Sequence, residues 1–144
     1  MAWFLILRGI KYASMKIATK LISFLILICL TIPVMADLDI YEDIGAVIRS
    51  GNAKEIASYF NANVELTIKT QTSVYSKAQA ELILKYFFEK NVPKSFTILH
   101  KGSSNEGTRY AIGNLTTSSN AFRTTFFVKQ ISGKYYIQEL RFEE

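Results

Sequence analysis

"SKAQAELILKYFFEKNVPKSFTILHK", Ser76 to Lys101, is where this chain changes period. In its first half Ala80, Leu84, Phe87 and Phe88 fall on one helical face with Ile83 beside them. Ser76 is positioned to accept from the backbone at the helix start, and Gln79, three residues on, completes a capping box. Pro93 follows, and a residue without an N–H cannot prolong the helix. The second half alternates. Phe96, Ile98 and His100 share one face by period two, and Thr97, Leu99 and Lys101 share the other. A helix therefore hands over to a strand near Pro93.

Working outward from this switch, strands follow to the C-terminus. "KSFTILHK", "TRYAIGNLTT", "AFRTTFFVKQ" and "KYYIQELRF" are broken by "GSSNEG", "SSN" and "SG". Such short breaks join neighbouring antiparallel strands into a meander. Gly113 interrupts the second run and predicts a bulge or bend. Ile137 and Leu140 cannot both face inward by strict alternation, so "YIQEL" predicts a bulge. Upstream, "VELTIKT" alternates Val64, Leu66 and Ile68 against Glu65, Thr67 and Lys69, and "QTSVYS" completes a hairpin with it. Earlier still, Ile40, Ile44, Val47 and Ile48 recur at helical spacing up to Gly51, and Asn52 caps a second short helix carrying Ile56, Tyr59 and Phe60. The order is helix, helix, hairpin, helix, four strands. The expected class is α+β, with three helices packed on one face of a bent antiparallel sheet.

The first 36 residues read as a signal peptide. From Met15, which reads as a start beside the alternative Met1, "MKIATKLISFLILICLTIPVMA" has a basic opening (Lys16, Lys20), an apolar run, the breaker Pro33 and the small residue Ala36 at the cleavage point. The apolar run from Leu21 to Ile32 is about 12 residues, short of the roughly 20 that span a bilayer. A membrane contact is therefore expected only through an uncleaved leader. Cys29 follows Ile28, not the small residue a lipid anchor requires. The mature domain, 37–144, is expected to be periplasmic or extracellular. It lacks cysteine, which excludes disulfides, cysteine nucleophiles and zinc–thiolate sites from it.

The formal net charge of +5 suggests a nucleic-acid or membrane binder until the charges are placed. Arg8, Lys11, Lys16 and Lys20 precede Asp37 and no acid does, which leaves about +1 on the rest of the chain. A near-neutral domain with interspersed charges offers no footprint for a phosphate backbone.

The element order resembles the nuclear transport factor 2-like superfamily, whose fold is a cone of helices over a concave sheet. "GKYYIQEL" is similar to the closing stretch of that superfamily, with Tyr135 and Ile137 in its aromatic and aliphatic places; tryptophan is commoner where Tyr135 stands. More specifically, "VYSKAQAELILKYFF", "FTILHKGSS", "YAIGNLTT" and "YYIQELRF" resemble the exported bacterial family called domain of unknown function 4783. That resemblance implies the cone fold and export, and no activity.

The candidate chemistry is sparse. Relatives by fold that are isomerases or dehydratases use an aspartate, histidine or tyrosine deep in the cone. Here no aspartate falls on an expected strand, Glu65 alternates toward solvent, and Glu139 lies near the chain end. His100, the only histidine, shares the face of Phe96 and Ile98 and is expected to point inward near the cone mouth. It reads either as an acid, base or ligand contact, or as a strand-end histidine bonded to a turn group or a tyrosine. One histidine without cysteine makes no metal set, no cofactor motif is present, and no GxSxG elbow supports serine catalysis. Tyr75, Gln79, Tyr110 and Thr124, with His100, supply polar points for a small ligand in a pocket walled by Phe96, Ile98, Phe122 and Phe126. The 10 Phe and 8 Tyr could equally fill that space. If Phe122, Thr124, Phe126 and Val128 face inward, then Arg123, Thr125, Phe127 and Lys129, with Tyr136, make an outer face suited to a protein partner or a homodimer. The "NLT" at Asn114 lies inside a strand and is discounted as a glycan acceptor. The expected role is a non-catalytic binding or interaction module. The alternative is a cofactor-free enzyme on a small molecule, with His100 as its acid or base.

Overall fold

The computed structural model describes residues 39–104 and 106–144. The leader, with Met15, Cys29 and Ala36, lies outside them. The elements are α1 (Ile40–Ser50), α2 (Ala53–Ser58), β1 (Phe60–Ile68), β2 (Gln71–Ser76), α3 (Lys77–Lys90), β3 (Pro93–Ser103), β4 (Thr108–Thr117), β5 (Ala121–Ile131) and β6 (Lys134–Glu143). None of these helices is long and apolar enough to cross a membrane.

Local chemistry explains the helix ends. Asp39 caps α1 by accepting from Tyr41 N at 3.1 Å, and Glu42 and Asp43 in the first turn complement the helix dipole. Gly51 ends α1 at φ 66°, a left-handed conformation that costs a residue without Cβ little. The expected capping box is present on α3: Ser76 Oγ accepts from Gln79 N at 3.4 Å, and Ser76 N donates to Gln79 Oε1 at 3.1 Å.

The six strands form one sheet in the order β2-β1-β6-β5-β4-β3. β3 to β6 are an antiparallel meander and β1–β2 is a hairpin, as expected. The expectation of a wholly antiparallel sheet needs correction: β1 and β6 run parallel, pairing Leu66 with Leu140 and Ile68 with Phe142. Turn residues report only strands adjacent in sequence, and these two are separated by most of the domain.

The register shifts at four places, between Phe60 and Glu65 of β1, at two points in β3, and in β6; a one-residue bulge bends the strand that carries it. In β6, Phe127 pairs with Glu139 and Val128 with Ile137, so Gln138 is the extra residue. This is the bulge expected from "YIQEL", and it leaves Ile137 and Leu140 both fully buried.

The core lies between the helices and one face of the sheet. Phe60, Phe122, Phe126 and Phe142 are fully buried there, with Ile44, Ile48, Ile56, Leu84 and Leu115. Phe87 of α3 stands among them, its ring centroid 5.1 Å from Phe88, 5.0 Å from Phe122 and 4.8 Å from Phe142. Of the two alternatives for the interior, the aromatic side chains fill it.

A polar clamp ties the start of α1 to β3. Lys101 Nζ lies 2.8 Å from Asp39 Oδ2 and 2.8 Å from Glu42 Oε1, over the Tyr41 ring, and Tyr41 Oη donates to Gly102 O at 2.9 Å. The Lys101 hydrogen bond holds the Asp39 carboxyl below its ordinary pKa, and Asp39 and Glu42 raise that of Lys101. A depressed carboxylate stabilises above its ordinary pKa and loses that contribution as pH falls through the folded value. A raised lysine stabilises below its ordinary pKa and loses the contribution as pH rises through the folded one. The groups are exposed, so the effect is small and screened by salt. Lys101→Met should lower stability slightly near neutrality, and urea titration should find the difference gone at about pH 2 and in about 1 M salt. An unchanged difference in acid would show that the clamp charge contributes nothing.

Candidate functional site

The setting of His100 turns on one inserted residue. Ile98 pairs with Gly113 and His100 with Ile112, so Leu99 has no partner of its own. Beyond this bulge the alternation resumes out of phase. Lys101 now lies opposite Ala111 on the helix side, which is how it reaches Asp39 and Glu42. His100 lies opposite half-buried Ile112 on the outer face and is exposed. The inward orientation expected from Phe96 and Ile98 is therefore corrected: period two does not survive the bulge.

On the outer face His100 meets Tyr110. Its Nε2 is 3.4 Å from Tyr110 Oη, and the ring centroids are 5.8 Å apart. Tyr110 is 5.7 Å from Phe127, which lies on the outer face as its alternation with Phe126 and Val128 requires. Tyr110 and Phe127 are half-buried, and Leu99 beside them is 69% exposed. A groove of about 480 Å³ opens here, lined by Leu99, His100, Ile112, Gly113, Asn114 and Arg123. Farther across the same face Arg141 bonds Glu139 through Nε, with Glu65 Oε1 at 4.0 Å. A second groove, about 400 Å³, runs between the α1–α2 turn and α3; Lys54 and Lys85 there are matched by Glu81 and Glu89.

The other expected polar points do not converge on His100. Tyr75 sits on β2 opposite Val64 and packs against the core. Gln79 is consumed by the capping box. Thr124 is fully buried and donates Oγ1 to Phe122 O at 3.3 Å. Only His100 and Tyr110 come together. Among the described residues His100 has Tyr110 as its side-chain hydrogen-bond partner, and no three metal-ligating side chains gather. The arrangement has the elements of a recognition surface: aromatic faces, aliphatic side chains, an amide and a guanidinium. Leu99, Ile112 and Asn114 were not foreseen there, because the bulge that gathers them leaves no signal in the hydrophobic pattern.

The family model described as Domain of unknown function (DUF4783) matches residues 41–143. The chain belongs to that family. Among solved structures, a DUF4783 family protein of Bacteroides uniformis is similar at TM-score 0.68 and 26% identity, covering 74% of this chain and 97% of that one. A DUF4783 family protein of Bacteroides fragilis gives 0.68 and 27%, covering 75% and 99%. An NTF2-like design matches at TM-score 0.56 and 16% identity, covering 70% and 90%, and supports the fold alone. Comparison with curated proteins finds no match. The DUF4783 fold is thus an α+β domain similar to the nuclear transport factor 2-like folds, and the family description assigns it no activity.

Proposed function

We propose that this DUF4783 protein is an exported, non-catalytic interaction module that engages a protein partner through the outer face of its sheet, a second copy of the chain being the simplest such partner. The observation that carries this is the division of its aromatic residues. The helix side is filled by fully buried rings, whereas Tyr110, Phe127, Ile112 and Leu99 stand on the opposite face with no described helix over them. Aromatic and aliphatic groups with an arginine at their edge suit an interface core and rim. Export rests on the basic and apolar pattern of residues 15–36. A cofactor-free enzyme with an interior acid or base finds less support, since His100 is exposed on the outer face and Thr124 is spent on a backbone carbonyl.

Native mass spectrometry of the protein recovered from the periplasm tests both parts. The chain should begin at Asp37 and run as a dimer, and Phe127→Lys should return it to a monomer. A monomer that gains a partner from extract, and loses it in Phe127→Lys, would keep the surface but replace the second copy. A monomer in every condition would overturn the reading, and a chain retaining its leader would overturn export.

A further inference from the structure

Resting on that partner reading, we infer that the groove beside His100 receives a carboxylate flanked by an aliphatic side chain, contributed by an extended segment of the partner. Three features point to this chemistry. The lining contains one cation, Arg123, an imidazole, His100, and an amide, Asn114, but no acid. Arg123 is exposed and, among the described residues, makes no ion pair, although Glu143 lies opposite it on β6. A guanidinium not already engaged pairs with a carboxylate through two parallel hydrogen bonds, and an amide N–H can add a third.

The aliphatic part follows from the wall. Leu99, lifted out of the ladder by the bulge, and half-buried Ile112 flank the polar groups. Gly113 contributes only backbone to the floor, which keeps the groove open between them. An aliphatic side chain lying there buries apolar surface that Leu99 now exposes to water. A volume of about 480 Å³ accommodates one such side chain with its carboxylate. The groove sits beside β3, the last strand in the sheet order, where an extended segment can approach without crossing the whole face. Bulges and Lys94 and Lys101 on β3 discourage direct strand addition, which favours side-chain insertion over ladder pairing.

N-acetyl-leucine, a carboxylate beside an isobutyl group, is the minimal probe, with N-acetyl-leucinamide and inorganic phosphate as controls. Amide NMR titration of the isotope-labelled protein should show saturable shifts at Leu99, His100, Ile112, Asn114 and Arg123. Affinity should be about millimolar, as expected for so small a ligand. Arg123→Ala should weaken it about tenfold or more, and His100→Gln about threefold, with the remaining spectrum unchanged to show an intact fold. The inference fails if the amide binds as well as the acid, if phosphate binds as tightly as N-acetyl-leucine, or if Arg123→Ala leaves affinity unchanged. Absent shifts in a protein that still dimerises would overturn the groove alone. A protein that stays monomeric in every condition, extract included, yet binds the probe through Arg123 would keep the groove and overturn the partner reading.

Discussion

Phe122→Ala should lower the stability of the domain by about 3–5 kcal/mol, the usual range for deleting a buried aromatic ring. Phe122 is fully exposed to the core and not at all to water. It pairs with Leu115 across β4–β5 and meets Phe87 of α3 at 5.0 Å between ring centroids, so its ring joins the sheet to the helix layer. Removing it leaves a cavity bounded by residues that belong to different elements, which cannot all collapse inward. A small domain holds about 5–15 kcal/mol in total, so this substitution should remove about a fifth of it or more. Thermal unfolding should shift down by about 15–25 °C. Phe127→Ala is the matched control. Phe127 lies five residues after Phe122 on the same strand, yet it faces outward, and its loss should cost the isolated chain far less. Similar melting temperatures for the two variants would show that the inside–outside division described above is wrong.

Gly113→Ala should destabilise the domain by about 1–3 kcal/mol, although alanine is ordinarily the better strand residue. A Cβ at this position would lie 2.6 Å from Phe96 Cζ and 2.7 Å from the Thr97 carbonyl oxygen. The ring of Phe96 covers the glycine from the neighbouring strand, an arrangement in which an aromatic side chain supplies the packing that the glycine lacks. The ring can swing aside at a cost in packing, but the carbonyl belongs to the β3 backbone and cannot. Phe96→Leu combined with Gly113→Ala should therefore recover only part of the loss expected if the two were independent, which urea denaturation of both single variants and the pair will measure. Unchanged stability in Gly113→Ala would mean that β3 and β4 separate easily at this point, contrary to the register on either side of the bulge.

The two bulges that matter most for this surface were unequally legible. Ile137 and Leu140 are both apolar and three apart, a spacing that only an extra residue reconciles with two inward side chains, and Gln138 is that residue. Leu99 announces nothing of the kind. Phe96, Ile98 and His100 alternate without conflict, because a histidine at the end of a strand is acceptable on either face. The glycine at 113 was the one visible trace. It marked an irregularity, but the irregularity falls on the opposite strand, where Leu99 is lifted out of the ladder beside it. Gln79 shows the converse: its capping role was readable from its distance to Ser76, and that role removes it from any pocket.

The sequence by itself determined the order of elements, the helix ends at Gly51, Asn52 and Ser76, the hairpins, and which side chains of β5 face the core. Each of these depends on residues a few positions apart, through period, capping hydrogen bonds and turn chemistry. The tertiary structure alone decided that β1 and β6 run side by side and parallel, that aromatic rings fill the interior, and that His100 faces outward with Tyr110. Those outcomes depend on how distant strands register and how volumes fit between layers, and neither quantity is written in any local stretch of the chain.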